Sequence, residues 1–160
     1  MQSKRKDYML FYVDSTDSSE NYEIIGKDND ELSRTLNNKV EAKKNILGET
    51  NVMVTQGPQT STIDPCYYRT TGKLHAFLKS IYWEDKELDE VVVPFMEVDA
   101  TEEAKSGEYK AFKQKGAVDL KSWGGDTNGI SEPFDINWLG PKTYGTFNPS
   151  TKKFTETVSA

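Results

Sequence analysis

Phe134-Asp135-Ile136-Asn137-Trp138 alternates apolar and polar residues without a break. In an extended chain successive side chains point to opposite faces, so this stretch offers Phe134, Ile136 and Trp138 to a core and turns Asp135 and Asn137 away. It is the cleanest half-buried strand pattern in the chain, and the segments on either side follow the same rule. Tyr109 to Leu120 carries Phe112, Val118 and Leu120 at one parity, with Gly116 placed to bulge or bend the strand. Val91 to Val98 is nearly continuous apolar sequence; Pro94 cannot donate to a ladder and suggests an edge position or a bulge. Tyr8 to Val13 and Tyr22 to Ile25 read as further strands separated by the turn-forming run Asp14 to Asn21. Tyr144 to Phe147 and Phe154 to Val158 are weaker candidates.

One segment breaks the two-residue period. Leu74, Phe77, Leu78, Ile81 and Tyr82 recur at the spacing of a single helix face, so Leu74, Phe77, Leu78 and Ile81 are expected to pack a helix on a sheet. Asp64-Pro65 marks a break upstream, and Thr71 is the expected N-cap. Glycine-rich loops such as Gly124 to Gly129 separate the elements, as in an antiparallel meander or Greek key. The predicted fold is mainly β, a sandwich or barrel of antiparallel strands with one flanking α-helix.

Composition narrows the function classes. The 160 residues, 35% hydrophobic, suffice for one ordinary core, so a single domain over 1–160 is expected. The longest apolar run, Val91 to Met96, is too short for a bilayer span, and the N-terminal stretch lacks the pattern of a signal peptide. Cys66 is the only cysteine, which excludes an intramolecular disulfide and a cysteine zinc cluster and fits a reducing compartment. Net charge is −6 with a pI near 4.9, against general affinity for nucleic acid. Lys4, Arg5 and Lys6 form the only tight basic cluster and read as a solvated end.

No group of residues proposes a reaction. His75, the single histidine, lies in the predicted helix and reads as a flank residue of its packed face; Cys66 reads as a small buried side chain. Acidic pairs at Asp28 and Asp30, Asp89 and Glu90, and Glu102 and Glu103 have no spacing that fixes a geometry. Asp28-Asn29-Asp30 and Asp126-Thr127-Asn128-Gly129 echo parts of a calcium loop, but Leu32 and Asn137 stand where ligands belong. No phosphate-binding glycine motif is present. No enzyme, cofactor or metal site is expected.

The longest feature without a core pattern is a polar arm, Gly26 to Gly57. Its first part, Asp28 to Asn38, has no sustained period. Val40, Ala42, Val52 and Val54 then alternate with polar residues, which predicts two strands turning near Gly48. A charged connection of this length in a small domain generally reaches another molecule or stays mobile.

The wording of this arm, the Asp64-Pro65-Cys66-Tyr67-Tyr68 segment and the Phe147 to Thr155 tail together resemble the major tail tube proteins of phages and prophages of Gram-positive hosts. The resemblance runs over most of the chain and is one of phrase and order. It implies a structural virion protein made in the host cytoplasm, with six subunits joining their sheets into a ring and rings stacking into a tube. It further implies partnership with tape measure and tail completion proteins, and a lumen through which DNA passes without specific binding. Asp28, Asp30, Glu31, Arg34, Asn38 and Lys39 are then candidates for contacts between subunits, together with terminal segments 1–7 and 148–160. The alternative from another class is a monomeric β-sandwich that holds a carbohydrate or peptide on Trp123, Trp138 and Tyr144.

Overall fold

The computed structural model describes residues 7–14, 21–29 and 31–157. It is mainly β and antiparallel, with one α-helix, as the alternation and the single helical period predict. Strands β1 (Tyr8–Asp14), β2 (Asn21–Ile25), β3 (Arg34–Thr35), β6 (Thr60–Ile63), β7 (Val92–Lys105), β8 (Glu108–Leu120), β11 (Phe134–Asn148) and β12 (Lys153–Glu156) form one sheet. Its order is β2-β1-β7-β8-β11-β6-β3, and β12 pairs with β11 beyond the end of β6. Two hairpins stand apart from it, β4 (Lys39–Lys44) with β5 (Thr50–Thr55) and β9 (Gly124–Asp126) with β10 (Gly129–Ser131).

Strand β11 holds the sheet together because it changes neighbours along its length. Phe134 to Asn137 pair with β6 on one side, Gly145 to Asn148 pair with β12 on that same side, and β8 runs along the other. The sequence pattern suggests two separate strands here. They are one, since the interruption around Gly140 and Pro141 is absorbed as a shift in register against β8 between Leu139 and Thr143. Gly116, by contrast, makes no bulge. It sits in register opposite Trp138 and Val93, and a β-carbon there would lie 2.5 Å from Ile136, so glycine makes room for the core. Pro94 lies just past the ladder between β1 and β7, which begins at Phe95, and therefore has a hydrogen-bonding neighbour on one side only.

Register assigns every core residue to one of two faces. On one face Leu10, Tyr12, Phe95, Val118, Phe134 and Ile136 join Ile63 and Cys66 beneath the helix α1 (Lys73–Glu84), which contributes Leu74, Leu78 and Ile81. Phe77 is partly buried and stacks on Tyr12, whereas Tyr82 is exposed. The helix start departs from expectation. Its N-cap is Gly72 rather than Thr71, with no capping side chain of its own, and the Leu74 N–H donates to the Glu23 carboxylate of β2 at 2.9 Å. A carboxylate from a neighbouring strand thus satisfies a free first-turn donor and meets the positive end of the helix dipole. The helix ends where Asp85 turns left-handed.

The opposite face buries Phe11, Val13, Met96, Val98, Ala111 and Phe147, with Tyr22 and Phe154 packed against them. Phe11 and Phe147 belong to strands three positions apart, a span of about 14 Å in a flat sheet. Their ring centroids are 5.1 Å apart, so the sheet curls around this face and closes it upon itself.

The helix does not cover all of the first face. At the uncovered end Arg34 of β3 lays its guanidinium over the Trp138 ring at 4.3 Å, donates to Gln114 Oε1 at 2.5 Å and pairs with Glu97 at 3.3 Å. Tyr8 donates to the same Glu97 at 2.6 Å, and Trp138 donates to Ser61 Oγ at 2.9 Å. Arg34 and Glu97 keep only 10% and 8% of their side-chain surface exposed, a regime in which removing one partner of an ion pair strands the other. Arg34→Ala should therefore cost about 3 kcal/mol, lowering Tm by roughly 6–12 °C. Arg34→Lys should recover only part of the loss, because an ammonium keeps the charge but neither the fork nor the stack. Thermal unfolding of both variants checks this; a wild-type Tm for Arg34→Ala would mean that the network is not closing the core.

Candidate assembly surface

The arm divides into two parts with opposite characters. The described residues between Gly26 and Thr35 are tied to their own domain. Asp28 accepts a bidentate pair from Arg69, at 2.6 and 2.9 Å, and a third bond from the Tyr67 N–H at 3.2 Å. Leu32 packs against the helix-side core, and Arg34 and Thr35 add a short strand to β6. Two of the residues expected at a subunit boundary, Asp28 and Arg34, are thus engaged within the chain. Polar contacts of this kind leave no period in a sequence, which is why the stretch reads as a free loop. Asp30 lies outside the described residues, as do Lys4, Arg5 and Lys6. Glu31, Asn38 and Lys39 are exposed; Glu31 borders an open cleft with Ser33, Thr35 and Thr62, and Lys39 pairs with Glu41 at 2.9 Å.

The second part, Lys39 to Thr55, is exposed along its whole length. Among the described residues its two strands pair only with each other, in register from Lys39 opposite Thr55 to Lys44 opposite Thr50. One side of this ribbon carries Val40 opposite Val54 and Ala42 opposite Val52. The tip carries Ile46, entirely exposed, and Leu47. Both ends of the ribbon are firmly built. At the tip the Asn45 side chain accepts from the Leu47 and Glu49 N–H groups at 3.0 Å, and Gly48 takes a left-handed conformation. At the neck Asn37 Nδ2 donates to the Pro58 carbonyl at 2.7 Å, and Gly57 lies so close to the Asn37 carbonyl that a β-carbon would sit 1.8 Å from it.

The aromatic residues of the binding-module alternative are dispersed. Trp123, Trp138 and Tyr144 do not form one platform: Trp138 is buried, Trp123 stacks on Tyr82 at 4.9 Å, and Tyr144 meets Phe112. Trp138 and Tyr144 do line a common open cleft of about 390 Å³ with Arg34, Gln59 and Lys142, but Arg34 covers the Trp138 ring there.

One polar cluster is buried. His75 is not a flank residue of an apolar face: its Nδ1 pairs with Glu132 Oε1, and both side chains are enclosed. Cys66 is buried beside them, so that one ligand atom from each of the three lies within 4.8 Å of the others. Burial, together with the nearby Glu132 and Asp28 charges, pushes the Cys66 thiol up to about 12, the opposite of the shift that activates a nucleophilic cysteine. Glu132 stood out by nothing in the sequence, because its distance along the chain from Cys66 and His75 matches no ligand spacing.

The Arg69 guanidinium holds the Asp28 carboxyl below the usual carboxylate range, aided by the Tyr67 N–H and opposed by burial. A depressed folded-state value means that the pair stabilises the fold above the unfolded carboxyl pKa of about 3.9. The contribution is lost as pH falls through the lower folded value. The stability difference between wild type and Asp28→Asn should be full at neutral pH and shrink below pH of about 4. Urea unfolding across that range checks it, and a difference independent of pH would show that the pair is not ionic in origin.

No family model matches the chain, and no curated protein matches it.

Proposed function

We propose that this chain is a structural subunit that assembles with copies of itself into rings stacked as a tube, in the manner of a phage tail tube. The observation that carries the reading is the Lys39–Thr55 hairpin, a ribbon with an apolar side that pairs with no other strand among the described residues. A two-stranded hairpin is marginal alone in water, and each large apolar side chain here would contribute about 1.5–3 kcal/mol if fully buried. Val40, Val52, Val54, Ile46 and Leu47 together make a contact worth forming. Charge favours a second copy as the occupant. The hairpin holds Lys39, Lys43 and Lys44 against Glu41 and Glu49, while the whole chain carries −6.

The outer strands supply the remaining contacts. β2, β3 and β12 each pair on one side only among the described residues, and closing a ring through neighbouring copies covers such edges. A ring of six, a tape measure protein, completion proteins and passage of DNA through the lumen belong to this reading by resemblance, and the net charge of −6 suits a lumen wall that does not hold DNA. The monomeric binding module is the weaker alternative, because its three aromatic residues are dispersed and one is in the core.

Sedimentation and negative-stain microscopy across a concentration series test the proposal, with rings or tubes expected for the intact chain. Replacing Lys39 to Thr55 by a short Gly-Ser link should abolish them and leave Tm nearly unchanged, since Asn38 and Gln56 flank a paired neck and no core residue is lost. Tubes that persist without the hairpin, or an intact chain that stays monomeric at every concentration, would overturn it.

A further inference from the structure

We propose that Cys66, His75 and Glu132 form a buried structural site for a divalent transition metal ion, zinc by the chemistry of its donors. One thiol sulfur, one imidazole nitrogen and one carboxylate oxygen lie within 4.8 Å of one another, and this mixed set of soft and borderline donors suits tetrahedral zinc. Three features of the surroundings point to an ion rather than to a hydrogen-bonded pair alone.

The first is an orphaned acceptor. Glu132 is fully enclosed, yet its Oε2 has no hydrogen-bond partner. A buried carboxylate oxygen without a donor is costly, and coordination removes that cost. The second is charge. Thiolate and carboxylate together neutralise a dication, so the occupied site buries no net charge, while Arg69 is already matched by Asp28. The third is space. A small cavity of about 20 Å³ borders Cys66 and His75 and also reaches Leu74 and Arg69, enough for one water as a fourth ligand.

The backbone brings the donors together from three parts of the chain. Cys66 and Glu132 sit on neighbouring extended segments, with the Glu132 N–H donating to the Cys66 carbonyl at 2.7 Å and the Tyr68 N–H to the Ile130 carbonyl at 2.9 Å. His75 approaches from the first turn of α1. An ion there would clip the helix N-terminus to the segments leading out of β6 and into β11. As it binds, the Cys66 thiol proton leaves to solvent, and the His75–Glu132 hydrogen bond gives way to separate bonds from each side chain to the ion. A coordinated imidazole is neutral, with its proton on the ring nitrogen that faces away from the ion, and any second proton of the ring leaves to solvent with that of the thiol.

The test uses the full chain, free of any affinity-tag histidines, stripped with chelator and titrated with cobalt(II). Because Cys66 is the only thiol in the sequence, a sulfur-to-cobalt charge-transfer band can arise from no other residue. The proposal expects that band, with tetrahedral visible bands, saturating at one ion per chain and bleached by zinc. His75→Gln and Glu132→Gln should each weaken binding by at least the roughly 10–100-fold that loss of even an outer partner costs. Zinc should raise the Tm of the wild type and not that of Cys66→Ser. Visible bands without the sulfur transition would mean binding at exposed carboxylates only, and would overturn the site. So would an unchanged wild-type Tm in zinc. Should Cys66→Ser fail to fold, the wild-type titration alone decides. Ring or tube formation is read separately, so failure of the metal site leaves the assembly proposal standing and the reverse also holds.

Discussion

Each face of the eight-stranded sheet carries a core cluster built from residues of the same chain, and that constraint governs much of what else the molecule can do. One face lies under α1 and under Arg34, and the other is closed by the curl that brings Phe11 and Phe147 together. A sheet with a free apolar face docks through that face. Among the described residues the two core clusters take up most of this one's apolar side chains, so contacts with other molecules fall to strand edges, to exposed side chains such as Tyr82, Trp83 and Tyr144, and to whatever projects from the sheet. Among the described residues the projecting element is the β4–β5 hairpin, and the edges are β2, β3 and β12. The assembly reading follows from where apolar surface has been left over.

Half of the arm is polar yet tied to its own domain. A hairpin acting between molecules loses affinity if it must first be ordered, so a fixed base lowers the entropic cost of contact. Arg34 on Trp138, Asp28 on Arg69, and the close approach of Gly57 to Asn37 supply that base with hydrogen bonds and a stacked guanidinium in place of apolar burial. Beyond the neck the side chains change character, from groups satisfied within the chain to valines and an isoleucine facing water.

The fold was largely legible in the sequence because its signals are local. Alternation in Phe134 to Trp138, the apolar run of β7 and the helical spacing of Leu74 to Ile81 each report which side of a strand or helix is buried, and the hairpin near Gly48 was readable in the same way. What escaped depends on residues far apart in the chain. Trp138 was readable as a core-facing residue of its strand, but its cover, Arg34, comes from 104 positions earlier in a segment with no period of its own. The continuity of β11 past Pro141 was hidden because a register shift has no composition. His75 could be placed on a buried helix, but its partner Glu132 is brought to it only by the pairing of the Cys66 and Ile130 segments.

The central claim is that the hairpin is solvent-exposed in a single subunit and covered in an assembly. Amide hydrogen exchange of Lys39 to Thr55, measured on monomer and on assembled particles of the same protein, addresses it most directly. The account predicts fast exchange in the monomer for amides outside the β4–β5 ladder and at the tip, and strong protection of the whole segment in particles. Particles in which the hairpin exchanges as in the monomer, while protection appears elsewhere, would contradict it.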